Sequence, residues 1–272
     1  MLGSMNESPQ LDQFRKFAED FLDVAGRIAM DYYGKVAVET KAKFDLVTQA
    51  DREIEERFVD ELKKQLPDHG VLGEETGSSN PSVAGWYWVI DPIDGTMSYA
   101  SQAGVFSIAI ALLRDGVPVM AWIDDPVHRE RFFAGPKGPA YLNGEALPQL
   151  GDDVTPAISV ATESILRYVK TMEKIFNEFG RARSYGSQAL HLAYIAAGRM
   201  NVMFNTNGKL WDDVAGAHIL AAAGGAYGRT DGTSPFPVRD GDPCLSGAVM
   251  HGVGASSEAI YRQIVAWLAE ED

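Results

Sequence analysis

The chain has 272 residues, one cysteine, and 38 acidic against 24 basic side chains, for a formal net charge of −14. That length can bury one large core or two of ordinary size, and the excess of acid excludes a general nucleic-acid binder, which needs a basic stripe to displace counterions. A lone Cys244 excludes an intrachain disulfide, the N-terminus lacks the regions of a secretory signal, and no apolar run reaches membrane-spanning length, so a cytoplasmic protein without a membrane partner is expected.

Leu11, Phe14, Phe17, Phe21, Val24 and Ile28 recur at helical spacing and predict a first amphipathic helix. A second is predicted from Thr48–Asp51 onward, with Ile54, Phe58, Leu62 and Leu66 facing inward and Pro67 ending it. Val71-Leu72-Gly73 leads into Glu74-Glu75, and Trp86–Ile90 reads as a strand running into Asp91-Pro92-Ile93-Asp94-Gly95-Thr96. Ser107–Leu113 and Val117–Ile123, joined by Arg114-Asp115-Gly116, predict a hairpin, which Arg131–Ala134 and Ala140–Leu142 extend into an antiparallel meander. Polar and turn-forming residues around Pro148–Pro156 mark the predicted boundary between an N-terminal α+β half, 1–150, and a C-terminal α/β half, 151–272. In the second half, strands Ile158–Thr162, Val202–Phe204 and Ala248–Val249 alternate with helices Ser164–Phe179, Ala189–Ala197, Asp212–Ala223 and Ser257–Leu268. The predicted fold class is a layered α+β, α/β sandwich: an antiparallel meander sheet with two helices, then an α/β half, with a site where the halves meet.

Three acidic clusters sit where a strand or loop meets another element: Glu74-Glu75, Asp91 with Asp94, and Asp212-Asp213 after Trp211. Taken singly, each has a plain structural explanation. Glu74-Glu75 can be solvated loop charge, Asp91 to Gly95 an ordinary turn, Asp212 a helix N-terminal carboxylate and Asp51 a helix cap. Taken together, they are carboxylates that repel one another unless cations compensate them, and an all-oxygen ligand set selects hard ions such as Mg²⁺. Gly95 and Thr96 leave room for an anion beside them. His69, His128, His191, His218 and His251 are scattered, with no metal-ligand pair and no nucleophile alongside. Cys244 has no partner pattern and reads as a structural thiol.

These motifs carry a resemblance. Asp45-Leu46-Val47-Thr48-Gln49-Ala50-Asp51, Gly73-Glu74-Glu75, Asp91 to Thr96, Gly186-Ser187-Gln188-Ala189-Leu190 and Trp211-Asp212-Asp213-Val214-Ala215-Gly216 follow one another in matches that span roughly residues 11 to 228. In that order they resemble the inositol monophosphatase family of Mg²⁺-dependent phosphatases, with its alternating α-β-α-β-α layers. The resemblance implies two or three Mg²⁺ ions. Glu74, Asp91 and the Ile93 carbonyl would hold the first, Asp91, Asp94 and Asp212 the second, and Glu74 a weaker third. The Gly95 and Thr96 amides would contact phosphate, Glu75 would support the ligands from behind, and Thr96 with Asp51 would orient the attacking water. Gly186, Ser187, Gln188 and Asn205 would line the substrate pocket. Lys41 and Lys43 fall where the family has a mobile, metal-binding loop, and Arg183 lies ahead of the substrate loop.

The implied reaction is in-line hydrolysis of a small phosphate monoester, most simply inositol 1-monophosphate. The implied enzyme is lithium-sensitive and often homodimeric. Two departures fall on recognition positions. Met97-Ser98-Tyr99 follows the central motif, with Ser98 more similar to histidinol-phosphate and broader-specificity relatives. Asn205 stands where inositol phosphatases carry a ring-binding Glu. A histidinol-phosphate phosphatase is therefore the alternative within the enzyme class, and a catalytically silent phospho-ligand binder the alternative outside it.

Overall fold

The computed structural model describes residues 8–35, 38–42, 45–79, 82–151, 157–160 and 167–270. The first helix, α1 (Ser8–Tyr32), buries Phe14, Phe17, Phe21 and Ala25. A two-stranded ribbon, β1 (Val38–Ala42) with β2 (Asp45–Thr48), leads to α2 (Gln49–Gln65), which buries Ile54, Phe58 and Leu62. Both helices pack on one face of an eight-stranded sheet through an aromatic cluster in which Phe14, Phe17 and Phe58 meet Trp88.

That sheet begins with β3 (Gly70–Gly73), β4 (Gly77–Ser78) and β5 (Trp86–Asp94). After α3 (Thr96–Ala100) come β6 (Ser107–Arg114), β7 (Val117–Asp125), β8 (Glu130–Ala134), β9 (Ala140–Leu142) and β10 (Glu145–Ala146). The spatial order is β10-β9-β8-β7-β6-β5-β3-β4, an antiparallel meander to which β3 is added parallel to β5. Both outermost strands are two residues long.

The second sheet has the order β12-β11-β13-β15-β14, from β11 (Ala157–Val160), β12 (Arg181–Ala182), β13 (Val202–Gly208), β14 (Ala226–Arg229) and β15 (Met250–Ala255). Between the sheets lie α5 (Gln188–Ala196) and α6 (Leu210–Ala222). On the far face lie α4 (Val169–Phe179) and α7 (Glu258–Leu268), with Met172, Ile175, Ile260 and Ile264 in their shared core. The helix-sheet-helix-sheet-helix layering expected from the sequence is thus observed. The middle core draws Val89, Ala111 and Ile123 from one sheet, Leu192 and Leu220 from the helices, and Met203 from the other sheet, so apolar packing runs across residue 150.

Three sequence expectations shift. The strand expected at Ala248–Val249 forms at Met250–Ala255, because its Gly252 and Gly254 carry no β signal; a Cβ on Gly254 would overlap Leu192 of α5, so close packing selects glycine there. The strand expected to stop at Ile90 continues to Asp94, and α6 starts at Leu210, two residues before Asp212. The N-terminal part of the helix expected from Ser164 lies outside the described residues, as does Lys43; of Lys41 only the backbone, in β1, is described. No helix among the described residues is long and apolar enough to cross a membrane.

Candidate active site

The carboxylates converge because of two features of β5. First, β3 and β5 run parallel with Gly73 opposite Ile90, so Glu74, just past the end of β3, and Asp91, in the last part of β5, stand at the same level. Crevices outside the carboxyl ends of parallel strands are where α/β sheets bind ligands. Second, Asp91 pairs with Ala109 and Asp94 with Ser107, three residues against two, so β5 has a one-residue bulge at Pro92-Ile93. Side chains three apart on a regular strand face opposite ways; the extra residue turns Asp94 to the face of Asp91. Proline fits there because a bulge spares it from donating to the ladder.

Asp212 completes the group from the first turn of α6, where its Oδ2 accepts the Lys209 amide at 2.7 Å. One ligand oxygen from each of Asp91, Asp94 and Asp212 lies within 4.8 Å of the others. Burial and mutual repulsion, with Glu74 adding to it, hold Asp91 and Asp212 well above the usual carboxylate range. Asp94 is raised by burial but opposed by its donors: Ser187 Oγ at 2.5 Å, the amides of Ala189 at 2.8 Å and Gln188 at 3.1 Å, and Ser107 Oγ at 3.3 Å. Two of those donors are the opening amides of α5, the positive end of that helix. Asp91 and Asp94, buried, and Asp212, half-buried, converge with no ion pair to a basic side chain among the described residues, and such an oxygen-only group is the donor set of a hard divalent cation, so the residues fit such an ion.

A cavity of about 370 Å³ opens over this group. Glu74, Ile93, Gly95 and Thr96 line it on the strand side, and Gly186, Gln188, His191, Asn205 and Asn207 line the opposite wall. Gly95 has φ +94°, and a Cβ there would stand 2.7 Å from the Gly186 carbonyl, so a left-handed glycine lets the two walls touch. Asp51 lies behind the wall. Its Oδ2 accepts the Thr48 amide at 3.0 Å and hydroxyl at 2.5 Å, the helix cap read from the sequence, while Oδ1 is 3.4 Å from Thr96 Oγ1. Desolvation pushes Asp51 up to about 6 against those hydrogen bonds.

Ser187 is buried with its hydroxyl under Asp94, and Glu75 and the exposed Arg183 are not on the cavity wall. A larger cavity, about 780 Å³, lies between α1 and the β7–β8 hairpin, but there Arg131 already pairs with Asp124 and Asp23, and no three acids converge among the described residues.

Two residues have contacts to which sequence reasoning assigned no role. His191 sits in the cavity wall, and its Nε2 accepts the Tyr185 amide at 2.9 Å; burial pushes it down to about 4, so it is a neutral spacer. Asp213, wholly buried beside Asp212, accepts Tyr227 OH at 2.5 Å and Gln188 Nε2, and burial raises it to about 7. Asp213 stood in view as half of Asp212-Asp213, but its partners are distant in the chain and left no local signal.

Comparison with known proteins identifies the family. The profile of the inositol monophosphatase family matches residues 10–265. The inositol-1-monophosphatase of Bacillus subtilis (strain 168) is 34% identical over 241 residues, 85% of this chain and 91% of that protein. The Nus factor SuhB of Escherichia coli (strain K12) is 34% identical over 207 residues, 73% of this chain and 78% of that protein. A solved Thermotoga maritima IMPase superposes with a TM-score of 0.81 at 26% identity, over 95% of this chain and 98% of that one.

Proposed function

The chain belongs to the inositol monophosphatase family, and from that premise we propose that it is a Mg²⁺-dependent phosphomonoesterase acting on a small polyol or sugar phosphate, most simply inositol 1-monophosphate. The observation that carries this reading is the convergence of Asp91, Asp94 and Asp212 within 4.8 Å, the bulge at Pro92-Ile93 turning Asp94 to the face of Asp91 and α6 supplying Asp212. Glu74, Asp91, Asp94, Asp212 and the Ile93 carbonyl would hold two or three ions. Bound there, divalent cations neutralise the phosphoryl oxygens and make water a better nucleophile at neutral pH.

The rest is done by the chain. Gly95 and Thr96 present backbone amides to the phosphate at the start of α3. The Thr96 hydroxyl lies between two acceptors, the Ile93 carbonyl at 3.1 Å and Asp51 Oδ1 at 3.4 Å. Donating to either leaves an Oγ1 lone pair to accept from the attacking water and orient it in line. A carboxylate raised to about 6 is ionised at neutral pH yet accepts a proton more readily than an ordinary aspartate. Lithium inhibition and a homodimer belong to the same reading.

The cavity also bears on substrate. Its only acids among the described residues are the four at the cation centre, and the opposite wall presents the neutral amides of Gln188, Asn205 and Asn207. Amides can donate to and accept from hydroxyl groups. Histidinol phosphate carries an ammonium, for which that wall has no counter-charge, so the polyol reading is preferred. Phosphate release from inositol 1-monophosphate, histidinol phosphate and fructose 1,6-bisphosphate is the test. Inositol phosphate should be turned over best, and a clear preference for histidinol phosphate would overturn the substrate. Asp94→Asn or Asp212→Asn should lower Mg²⁺-dependent turnover by more than ~100-fold, and undiminished turnover would sink the metal reading.

A further inference from the structure

The turn that carries Glu74 is held from beneath by one side chain. Glu55, in α2, is wholly buried. Its Oε2 accepts the Glu75 amide at 2.9 Å, and its Oε1 accepts both the amide and the hydroxyl of Thr76 at 2.6 Å. Gly73, the last residue of β3, lies so close that any Cβ would overlap the Glu55 carboxylate. Strand end and turn are thus both fitted to this one group.

Asp51 is four residues earlier, on the same face of α2, and reaches the Thr48 cap and Thr96. Neither Asp51 nor Glu55 forms an ion pair among the described residues; each is a buried carboxylate spent on hydrogen-bond donors. Burying a charge in this way is costly unless the donors it meets are well placed, and a carboxylate accepts from several donors where an amide cannot.

We infer that Glu55 is a positioning residue: by holding the amides of Glu75 and Thr76 it fixes the turn from which Glu74 projects, and thereby sets the cation affinity of the centre. Helix α2 then keeps two distant parts of the site in one register, the Asp51–Thr96 pair through one carboxylate and the Glu74 turn through the next. The inference rests on the reading of Glu74 as a cation ligand. Partners behind metal ligands typically govern affinity by 10–100-fold, and the lower part of that range is expected where the partner acts through backbone.

The experiment is calorimetric titration of Mg²⁺ into the metal-free full-length protein, with thermal unfolding followed in parallel. In Glu55→Gln the amide group of the side chain must face a backbone N–H, so Mg²⁺ binding should weaken about tenfold. Turnover should return toward wild type at saturating Mg²⁺, since no group touching substrate is altered. A purely structural role would lower the unfolding midpoint without moving Mg²⁺ affinity, and affinity within twofold of wild type in a folded Glu55→Gln protein overturns the inference. Should that variant not fold, Thr76→Val decides: removing one donor from the exposed end of the contact should weaken Mg²⁺ about threefold, and no change overturns the proposal. Glu74→Gln, run alongside, separates the two claims. If it too leaves Mg²⁺ affinity unchanged, the reading of Glu74 as a ligand fails; if it weakens binding while Glu55→Gln does not, only the positioning role fails.

Discussion

Asp51 joins a folding role to the proposed chemistry in one side chain. One oxygen closes the cap of α2 through Thr48, and the other faces Thr96 across the cavity wall. Burial raises its pKa from 3.8 to about 6. An acid so raised is protonated below that value, and a protonated Asp51 can no longer take up a proton from the Thr96 side. Turnover at saturating Mg²⁺ should therefore fall with a one-proton slope as pH drops through about 6. In Asp51→Asn the limb should vanish along with most of the rate; a pH–kcat profile whose acid limb is untouched by that change would remove Asp51 from the proton-accepting role. At this scale the sequence was readable where chemistry shows as local spacing, as in Asp91 with Asp94. It was silent on Glu55, His191 and Tyr227, whose meaning lies in contacts with residues 20, 6 and 14 positions away.

Among the elements, α5 does more than fill space between the sheets. Ser187 caps it, accepting the Leu190 amide at 3.3 Å, and also donates to Asp94, which the helix's first amides embrace. Losing an N-cap typically costs about 0.5–2 kcal/mol. Ser187→Ala should therefore destabilise the protein by about 1–2 kcal/mol in urea unfolding. Because the residues touch, its effect should not add to that of Asp94→Asn; simple additivity within ~0.3 kcal/mol would show that the contact carries no coupling. Helices α1, α2 and α7 were legible because apolar residues recur on one face and the other face is polar. Strand β15 was not, since its glycines follow from what packs against them. The bulge in β5 was hidden for a related reason: a proline usually argues against a continuing strand, and only the register with β6 reveals that this one sits where the ladder is interrupted.

At the scale of the molecule, acid is stored inside. Desolvation raises Asp91, Asp94, Asp212, Glu55 and Asp124, and brings Asp51 to about 6 and Asp213 to about 7. For carboxylates whose folded pKa exceeds the unfolded one, the stability they contribute is complete below about pH 4 and lost as pH rises through 6 and 7. His191, lowered from 6.5 to about 4, acts oppositely, its contribution present above 6.5 and lost on acidification. Seven raised carboxylates outnumber four lowered histidines, His69, His191, His218 and His251, so the metal-free protein should have a higher unfolding midpoint near pH 5 than near pH 8. Added Mg²⁺ should raise the midpoint more at pH 8 than at pH 5, because deprotonated ligands bind it. Calorimetry at both pH values, with and without Mg²⁺, checks this; a metal-free midpoint higher at pH 8 would contradict the count. The borders of the larger sheet have a consequence of another kind. Gly77–Ser78 at one rim and Glu145–Ala146 at the other offer a neighbouring molecule only two residues of open ladder each. So short a ladder at each rim gives a strand from another molecule little to pair with, which is how large sheets limit edge-to-edge growth.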